Sequence, residues 1–203
     1  MMEQRTEAWH LARCGKVTGS RIADVVARTK SGYAASRENL KATLIVERLT
    51  QKPSETFTNA AMEWGTQQEP IARAAYAART GQLVDEVGFI NHPTIEWAGA
   101  SPDGVIGNAL VEFKCPNTAT HLEYVLSKQI PQKYVYQMQF QMAVTGAESC
   151  DFVSFDPRLP ERYQMLILPV KRDNTLILML EDETRKFLME LETTLADLEK
   201  IEL

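Results

Sequence analysis

The sequence predicts an α/β fold, a central mixed β-sheet flanked by helices, in one domain over residues 1–203. Three observations lead there. Residues 101–115 alternate in strand fashion about a Gly107-Asn108 turn. Apolar residues three and four apart, the helical spacing, flank that stretch on both sides. A chain of 203 residues, hydrophobic 44% and charged 24%, is large enough to bury one core and has the composition of an ordinary globular protein.

In chain order, Glu7–Arg13 reads as a short helix with Ala8, Leu11 and Ala12 at i, i+3 and i+4. Val17-Thr-Gly-Ser20 is a hydroxyl-rich turn expected to cap a helix running to about Arg28 through Ile22, Val25 and Val26. Arg13 and Ser20 then bracket a helix start. Free N–H groups beside a guanidinium fork make a phosphate seat, although the same residues also suit a plain cap and a surface arginine. Lys30–Tyr33 reads as a loop. A helix follows from Ser36 to about Gln51 with Leu40, Leu44, Ile45 and Leu49 inward. After a polar connection over 51–60, a long helix runs from about Asn59 to Thr80 and stops at Gly81. Pro70 is expected to kink or divide it, and Glu69 and Arg73 at i, i+4 suit an ion pair. Strands follow at Leu83–Ile90 and Ile95–Ala100.

The hairpin comes next. Side chains alternate along its second strand, putting Leu110, Glu112 and Lys114 on one face and Val111, Phe113 and Cys115 on the other. The apolar set is expected to face the core. Asp103, delivered by the Pro102-Asp103-Gly104 turn, lies beside Glu112 and Lys114. Hard divalent cations take carboxylate and backbone oxygens, and a neighbouring lysine can hold or activate a water, so this is a candidate metal site. The bare pattern fits a solvated hairpin face as well.

Beyond it, Thr120-His-Leu-Glu123 reads as a capping box opening a short helix. Pro131 opens another that ends at Gly146, with Val135, Met138 and Met142 on one apolar stripe and Phe140 and Val144 on a second. Gln137 and Gln141 share a polar face with Tyr134, either as edge residues or as hydrogen-bonding groups for a substrate or a metal-bound water. Strands at about Asp151–Phe155 and Tyr163–Val170 join the sheet, and an acidic amphipathic helix over roughly Thr175–Leu203 closes the chain.

The net charge is -5, unevenly spread. Residues 1–52 hold ten Lys/Arg against five acids, whereas 181–203 hold eight acids against three bases. A basic N-terminal third can meet phosphates while an acidic tail stays clear of them. No apolar run approaches the length of a membrane span, and Met1-Met2-Glu3-Gln4-Arg5 does not begin a signal peptide, so no membrane partner and a cytoplasmic location are expected. Cys14, Cys115 and Cys150 are odd in number and far apart, which fits reduced thiols and not a disulfide framework, a zinc site or an iron–sulfur cluster.

These residues resemble a known family. A helix, then a mixed sheet carrying Asp…Glu-x-Lys, then a glutamine-bearing helix is similar to the PD-(D/E)XK nucleases, and within them to the lambda exonuclease type, the YqaJ-like viral recombinase nucleases. The matching stretches are Glu7-Ala-Trp-His-Leu-Ala-Arg13, Val17-Thr-Gly-Ser20, Trp64-Gly-Thr-Gln-Gln-Glu69, Ala100-Ser-Pro-Asp-Gly104, Glu112-Phe-Lys-Cys-Pro116, Gln137-Met-Gln139 and Phe155-Asp-Pro-Arg158. They come in the family's order and cover most of the chain.

The resemblance implies that Asp103 and Glu112 bind magnesium, for which manganese can substitute, with the carbonyl of Phe113 beside them. It implies that Lys114 positions or activates the attacking water and that Glu69 and Gln137 complete the catalytic set. Arg13 and Ser20 would hold a five-prime phosphate, Ser101 a nearby one, and Lys30 would add to the DNA contacts. Met62 would wedge into the duplex end. The implied activity is digestion of one strand of duplex DNA from its five-prime end, handing a three-prime strand to a single-strand annealing protein in phage-type recombination. The implied assembly is a homotrimeric ring around DNA. Two positions depart from the family pattern: Thr120 replaces a basic residue, and an acid expected before the Ser-Pro-Asp turn falls near Pro93. An endonuclease of the same superfamily and a DNA-end-binding module without chemistry are the alternatives. Retention of all three of Asp103, Glu112 and Lys114 disfavours the second.

Overall fold

The computed structural model describes residues 3–54 and 59–201. In chain order the elements are α1 (Glu7–Arg13), β1 (Val17–Thr18), a 3-10 turn (Gly19–Arg21), α2 (Ile22–Val25), β2 (Arg28–Thr29), β3 (Gly32–Tyr33), α3 (Ala35–Thr50) and α4 (Ala60–Thr80). There follow β4 (Ile90–Asn91), β5 (Ala98–Ala100), β6 (Gly104–Ile106), β7 (Ala109–Lys114), α5 (Thr118–Ser127), α6 (Gln132–Thr145), β8 (Ser149–Phe155), α7 (Glu161–Gln164), β9 (Met165–Lys171) and α8 (Asn174–Glu199). The α/β class with mixed sheets flanked by helices is the one the sequence predicts.

The main sheet has the order β6-β7-β8-β9. β6 and β7 form the antiparallel hairpin expected about Gly107-Asn108, with Gly107 at φ 56. β7 and β8 run parallel, because α5 and α6 carry the chain back across the sheet between them. A smaller sheet, β1-β5-β4, packs beside it.

β7 is the structural centre. α4 lies on one face, where Ala72 and Tyr76 meet Val111, Phe113 and Val153. α6 lies on the other, where Met138 and Met142 meet Leu110 and Phe152. This excludes the alternative of a solvated hairpin face: Glu112 is 1% exposed and Leu110 equally buried. A central strand with a parallel neighbour is covered on both sides, so its polar side chains are buried ones.

Caps fixed the long helices as expected. Asn59 accepts the Met62 N–H at 3.0 Å, and Gly81 and Gly146 end α4 and α6 in the left-handed conformation. Other expectations need correction. α2 ends at Val25, and Arg28–Tyr33 is a hairpin instead of a helix end and a loop, because Arg28 and Tyr33 both reach Glu183 on α8. Leu49 is exposed, as the apolar stripe of α3 ends at Ile45. α4 is one helix through Pro70, which excludes a division in two. The carbonyl that loses its partner there belongs to Thr66, an exposed residue. The expected strand at Leu83–Ile90 reduces to an Asp85–Val105 bridge and β4, since β6 offers too short an edge to pair with. The N-cap of α5 is Asn117, whose Oδ1 accepts the Thr120 N–H at 2.9 Å, so Thr120 lies inside the helix. Pro160 opens α7, which takes Tyr163 and delays β9 to Met165. Part of the 51–60 connection and the end expected for the last helix lie outside the described residues.

Candidate active site

Asp103 and Phe113 begin the site. β6 pairs with β7 only from Gly104 to Ile106, so the Phe113 N–H finds no strand partner on that side. The Asp103 carboxylate takes that place, Oδ2 accepting the N–H at 2.8 Å. The carbonyl of an extended residue points to the same side as its N–H, which turns the Phe113 oxygen toward Asp103. Gly104 is required here: a Cβ would stand 2.1 Å from Val84 and 2.9 Å from Val111 side-chain atoms.

Glu112, one pleat away, is held by three donors. Lys114 Nζ and Gln137 Nε2 each approach Oε1 at 2.5 Å, and Gln141 Nε2 donates to Oε2 at 2.7 Å. A carboxylate has about four lone-pair directions, so Oε1 is saturated and Oε2 keeps one free. Lys114 also lies over the Tyr134 ring, 4.8 Å from its centroid. Gln137, Gln141 and Tyr134 all come from α6, so the polar face seen in the sequence is turned onto β7.

The charges are packed tightly. Burial, then the neighbouring Glu112 and Glu69, pushes the Asp103 carboxyl well above the ordinary carboxylate range, against the pull of Lys114 and the Phe113 N–H. Burial would lower Lys114, but Glu112 and Asp103 outweigh it and hold the ammonium above its usual value. Burial, then Glu69 and Asp103, pushes the Cys115 thiol up to about 12, so it stays protonated. Two desolvated carboxylates and an inward carbonyl are a donor set that suits a hard divalent cation, which would relieve the repulsion that raises Asp103. Among the described residues no three His, Cys, Asp or Glu side chains form a ready-made cage. A cation here would therefore rest on Asp103, Glu112, the Phe113 carbonyl and water.

Glu69 is tied down, not free. It pairs with Arg5 and accepts from Arg73 at 3.1 Å, and Arg73 in turn reaches Glu86 and the Asp103 carbonyl. The Glu69–Arg73 pair is thus half-buried, where the sequence spacing fits a surface pair equally well.

A second cluster adjoins the first. Ser101, two residues before Asp103, accepts from Trp9 Nε1 at 2.9 Å and lies 3.5 Å from Arg13 Nη1. Arg13 Nη2 lies 3.5 Å from the Ser20 hydroxyl, and its guanidinium stacks 3.9 Å from the Trp9 ring centroid. Burial lowers Arg13 to about 10, with Glu47 opposing, so it stays charged at neutral pH. Arg13, Ser20 and Met62 line one cavity of about 380 Å³, and Met62 stands half-exposed at its rim. One premise needs correction. Ser20 sits in the 3-10 turn and caps nothing, and α2 is only four residues long. Any phosphate affinity here comes from side chains and not from a helix terminus. Lys30 stands exposed in the β2–β3 turn and is not gathered with this cluster.

Sequence reasoning singled out Gln137 but did not choose Gln141, although their i, i+4 spacing was visible. The contacts of Trp9 with Ser101, Arg5 with Glu69 and Arg73 with the Asp103 carbonyl had no local signal, because these partners lie 92, 64 and 30 residues apart.

The chain matches the model of the YqaJ-like viral recombinase domain over residues 8–148. It is similar to LHK-Exo in complex with dAMP, with 49% identity, TM-score 0.91, and coverage of 96% of this chain and 97% of that one. Another structure of LHK-Exo, an alkaline exonuclease from Laribacter hongkongensis, gives 50% identity and TM-score 0.89 over 96% and 97%. A phage-related exonuclease from Haemophilus somnus 129PT shares the fold at TM-score 0.75 and 14% identity, covering 90% of this chain and 96% of that one. No curated protein sequence matches the chain.

Proposed function

Because the chain belongs to the YqaJ-like viral recombinase family, we propose that it is a magnesium-dependent exonuclease acting on linear double-stranded DNA from the five-prime end. Digestion of one strand leaves a three-prime single strand for an annealing protein. The observation that supports this best is the joining of two clusters through one turn: Ser101 touches Arg13, and Asp103, two residues on, touches Phe113. A terminal phosphate held by Arg13, Ser20 and Ser101 would set the next phosphodiester beside Asp103 and Glu112.

In this reading each residue has a separate task. Arg13 neutralises and orients the terminal phosphate, with Trp9 fixing Ser101 and stacking on the guanidinium. Asp103, Glu112 and the Phe113 carbonyl would hold a divalent cation. Gln137 and Gln141 fix the plane of the Glu112 carboxylate. Lys114 orients the attacking water by its N–H donors. A bound divalent cation supplies charge neutralisation at phosphorus and a more acidic water. Water adds to phosphorus, the bond to the three-prime oxygen breaks, and that oxygen leaves as a hydroxyl after taking a proton. The shortened strand keeps a new five-prime phosphate for the same pocket.

The test is digestion of linear and closed circular duplex, each strand end-labelled, with magnesium and with EDTA. Loss of the five-prime-labelled strand from linear duplex alone, abolished by EDTA, is the expected result. Nicking of closed circles would make it an endonuclease, and cleavage in EDTA would remove the metal from the reading. We also propose that three copies form a ring, with the basic N-terminal third inward. A monomer mass by light scattering across a wide concentration range would contradict this.

A further inference from the structure

Two adjoining cavities of about 730 and 410 Å³ lie away from both clusters described above. Arg79 at the end of α4 and Arg162 in α7 line both, and Lys128 lines the smaller one. Glu161 is the one acid in either lining. Among the described residues none of these three cations is paired with a carboxylate, although most arginines of the chain are. The two arginine side chains are nevertheless positioned. Arg79 Nη1 donates to the Met165 carbonyl at 2.9 Å, and the Arg162 guanidinium lies 4.4 Å from the Tyr163 ring centroid.

The location matters as much as the charge. Lys114 pairs with Ser154 and Ser154 with Leu166, while Phe155 pairs with Met165. The catalytic end of β7, the end of β8 and the start of β9 therefore form one sheet edge. Strands about 4.8 Å apart put Met165 roughly 10 Å from the catalytic strand. At about 3.4 Å per nucleotide in a stacked strand, that is a reach of two or three nucleotides. Unpaired cations spaced along a groove, with an exposed aromatic ring beside them, form a surface that follows a phosphate backbone and stacks a base.

We propose that the groove of Arg79, Lys128 and Arg162 binds a single-stranded nucleic-acid segment beside the active site. This rests on the nuclease reading, but it assigns a separate surface. The pairing of charge with charge favours a polyanion over an apolar partner, even though Leu122 and Leu126 stand exposed on α5.

The experiment uses the full chain in EDTA, so that nothing is cut, with a fluorescent single-stranded oligonucleotide read by anisotropy at several salt concentrations. Arg79→Ala/Arg162→Ala is expected to weaken binding by about tenfold and to lower the salt slope by about 1.4, two phosphates at about 0.7 each. Lys128→Ala/Arg162→Ala leaves the Arg79–Met165 contact intact, so a similar loss there excludes misfolding as the cause. Arg79→Lys/Arg162→Lys should keep most of the affinity. Wild-type affinity and slope in both alanine pairs would overturn the proposal. So would loss of binding to an acidic peptide with single-strand binding unchanged, which would make the groove a protein surface. Digestion of linear duplex by the wild type is scored separately. A protein that binds single strands through these residues but degrades no duplex would refute the enzyme reading and leave the groove standing.

Discussion

Gln141 donates its side-chain amide to Oε2 of Glu112 at 2.7 Å, while its own carboxamide oxygen is buried without a partner. A glutamine 1% exposed that leaves half its side chain unsatisfied is kept for the half that is used. Replacing it by Leu removes a charge-assisted bond of about 1.5–3 kcal/mol and lets the carboxylate turn. Gln141→Leu should raise the magnesium concentration for half-maximal cleavage, with a smaller effect on melting temperature. An unchanged magnesium requirement would assign Gln141 to packing.

Lys114 is the resident counter-ion of Asp103 and Glu112. Lys114→Ala should abolish hydrolysis while duplex-end binding persists, because Arg13, Ser20 and Ser101 are untouched. Glu112→Ala should abolish hydrolysis as well. Wild-type turnover in the Lys114 variant would end its assignment to the water.

The raised Asp103 has a consequence for pH. Its folded pKa lies above its unfolded one, so its contribution to stability is whole below the ordinary carboxylate range and is lost as pH rises through the folded value. A cation bound to the ionised form would reverse that loss. Magnesium should therefore raise the melting temperature more at alkaline than at mildly acidic pH, by scanning calorimetry. An equal increment at both would show that the cation does not meet Asp103.

Arg13 should discriminate between ends. Its guanidinium should favour a dianionic five-prime phosphate over a hydroxyl by about tenfold to a hundredfold in initial rate, the worth of a charge-assisted contact. Arg13→Ala should erase most of that difference and leave slow, metal-dependent cleavage. Equal wild-type rates on both ends would reduce Arg13 to a surface residue stacked on Trp9.

Asp156 marks the acid limit of the fold. Burial pushes it up, but hydrogen bonds from Arg158 and Thr118 outweigh this and hold the carboxyl at about 2. Its folded pKa is depressed, so the stability it adds is present above the unfolded value near 3.8 and fades as pH falls toward 2. Asp156→Asn should lose about 1–2 kcal/mol at neutral pH and show a flatter acid limb in urea titrations. A steep acid limb in the variant would place the sensitive group elsewhere.

Elements defined by neighbours in sequence were legible: Asn59, Gly81 and Gly146 mark helix ends because a cap acts within a turn. The hairpin was legible for the same reason, and with it the proximity of Asp103, Glu112 and Lys114. The covering of Glu112 was not, because period-two alternation reports chemistry along one strand and is silent about what packs above it. Its two glutamine donors lie 25 and 29 residues downstream on α6. Ser20 misled for a related reason: a serine before apolar residues is a good cap signal, but α2 stops after four residues once Arg28 and Tyr33 are drawn to Glu183.

The parallel pairing of β7 with β8 joins residues forty apart in the chain, Ala109 with Ser149. Closing such a loop costs entropy before any contact repays it, so the hairpin can form early while the crossover waits. During synthesis Asp103, Glu112 and Lys114 are therefore assembled well before α6 and β8 arrive to fix them. Until then the three side chains share a hairpin but lack the glutamine donors of α6 that hold Glu112 in the folded protein.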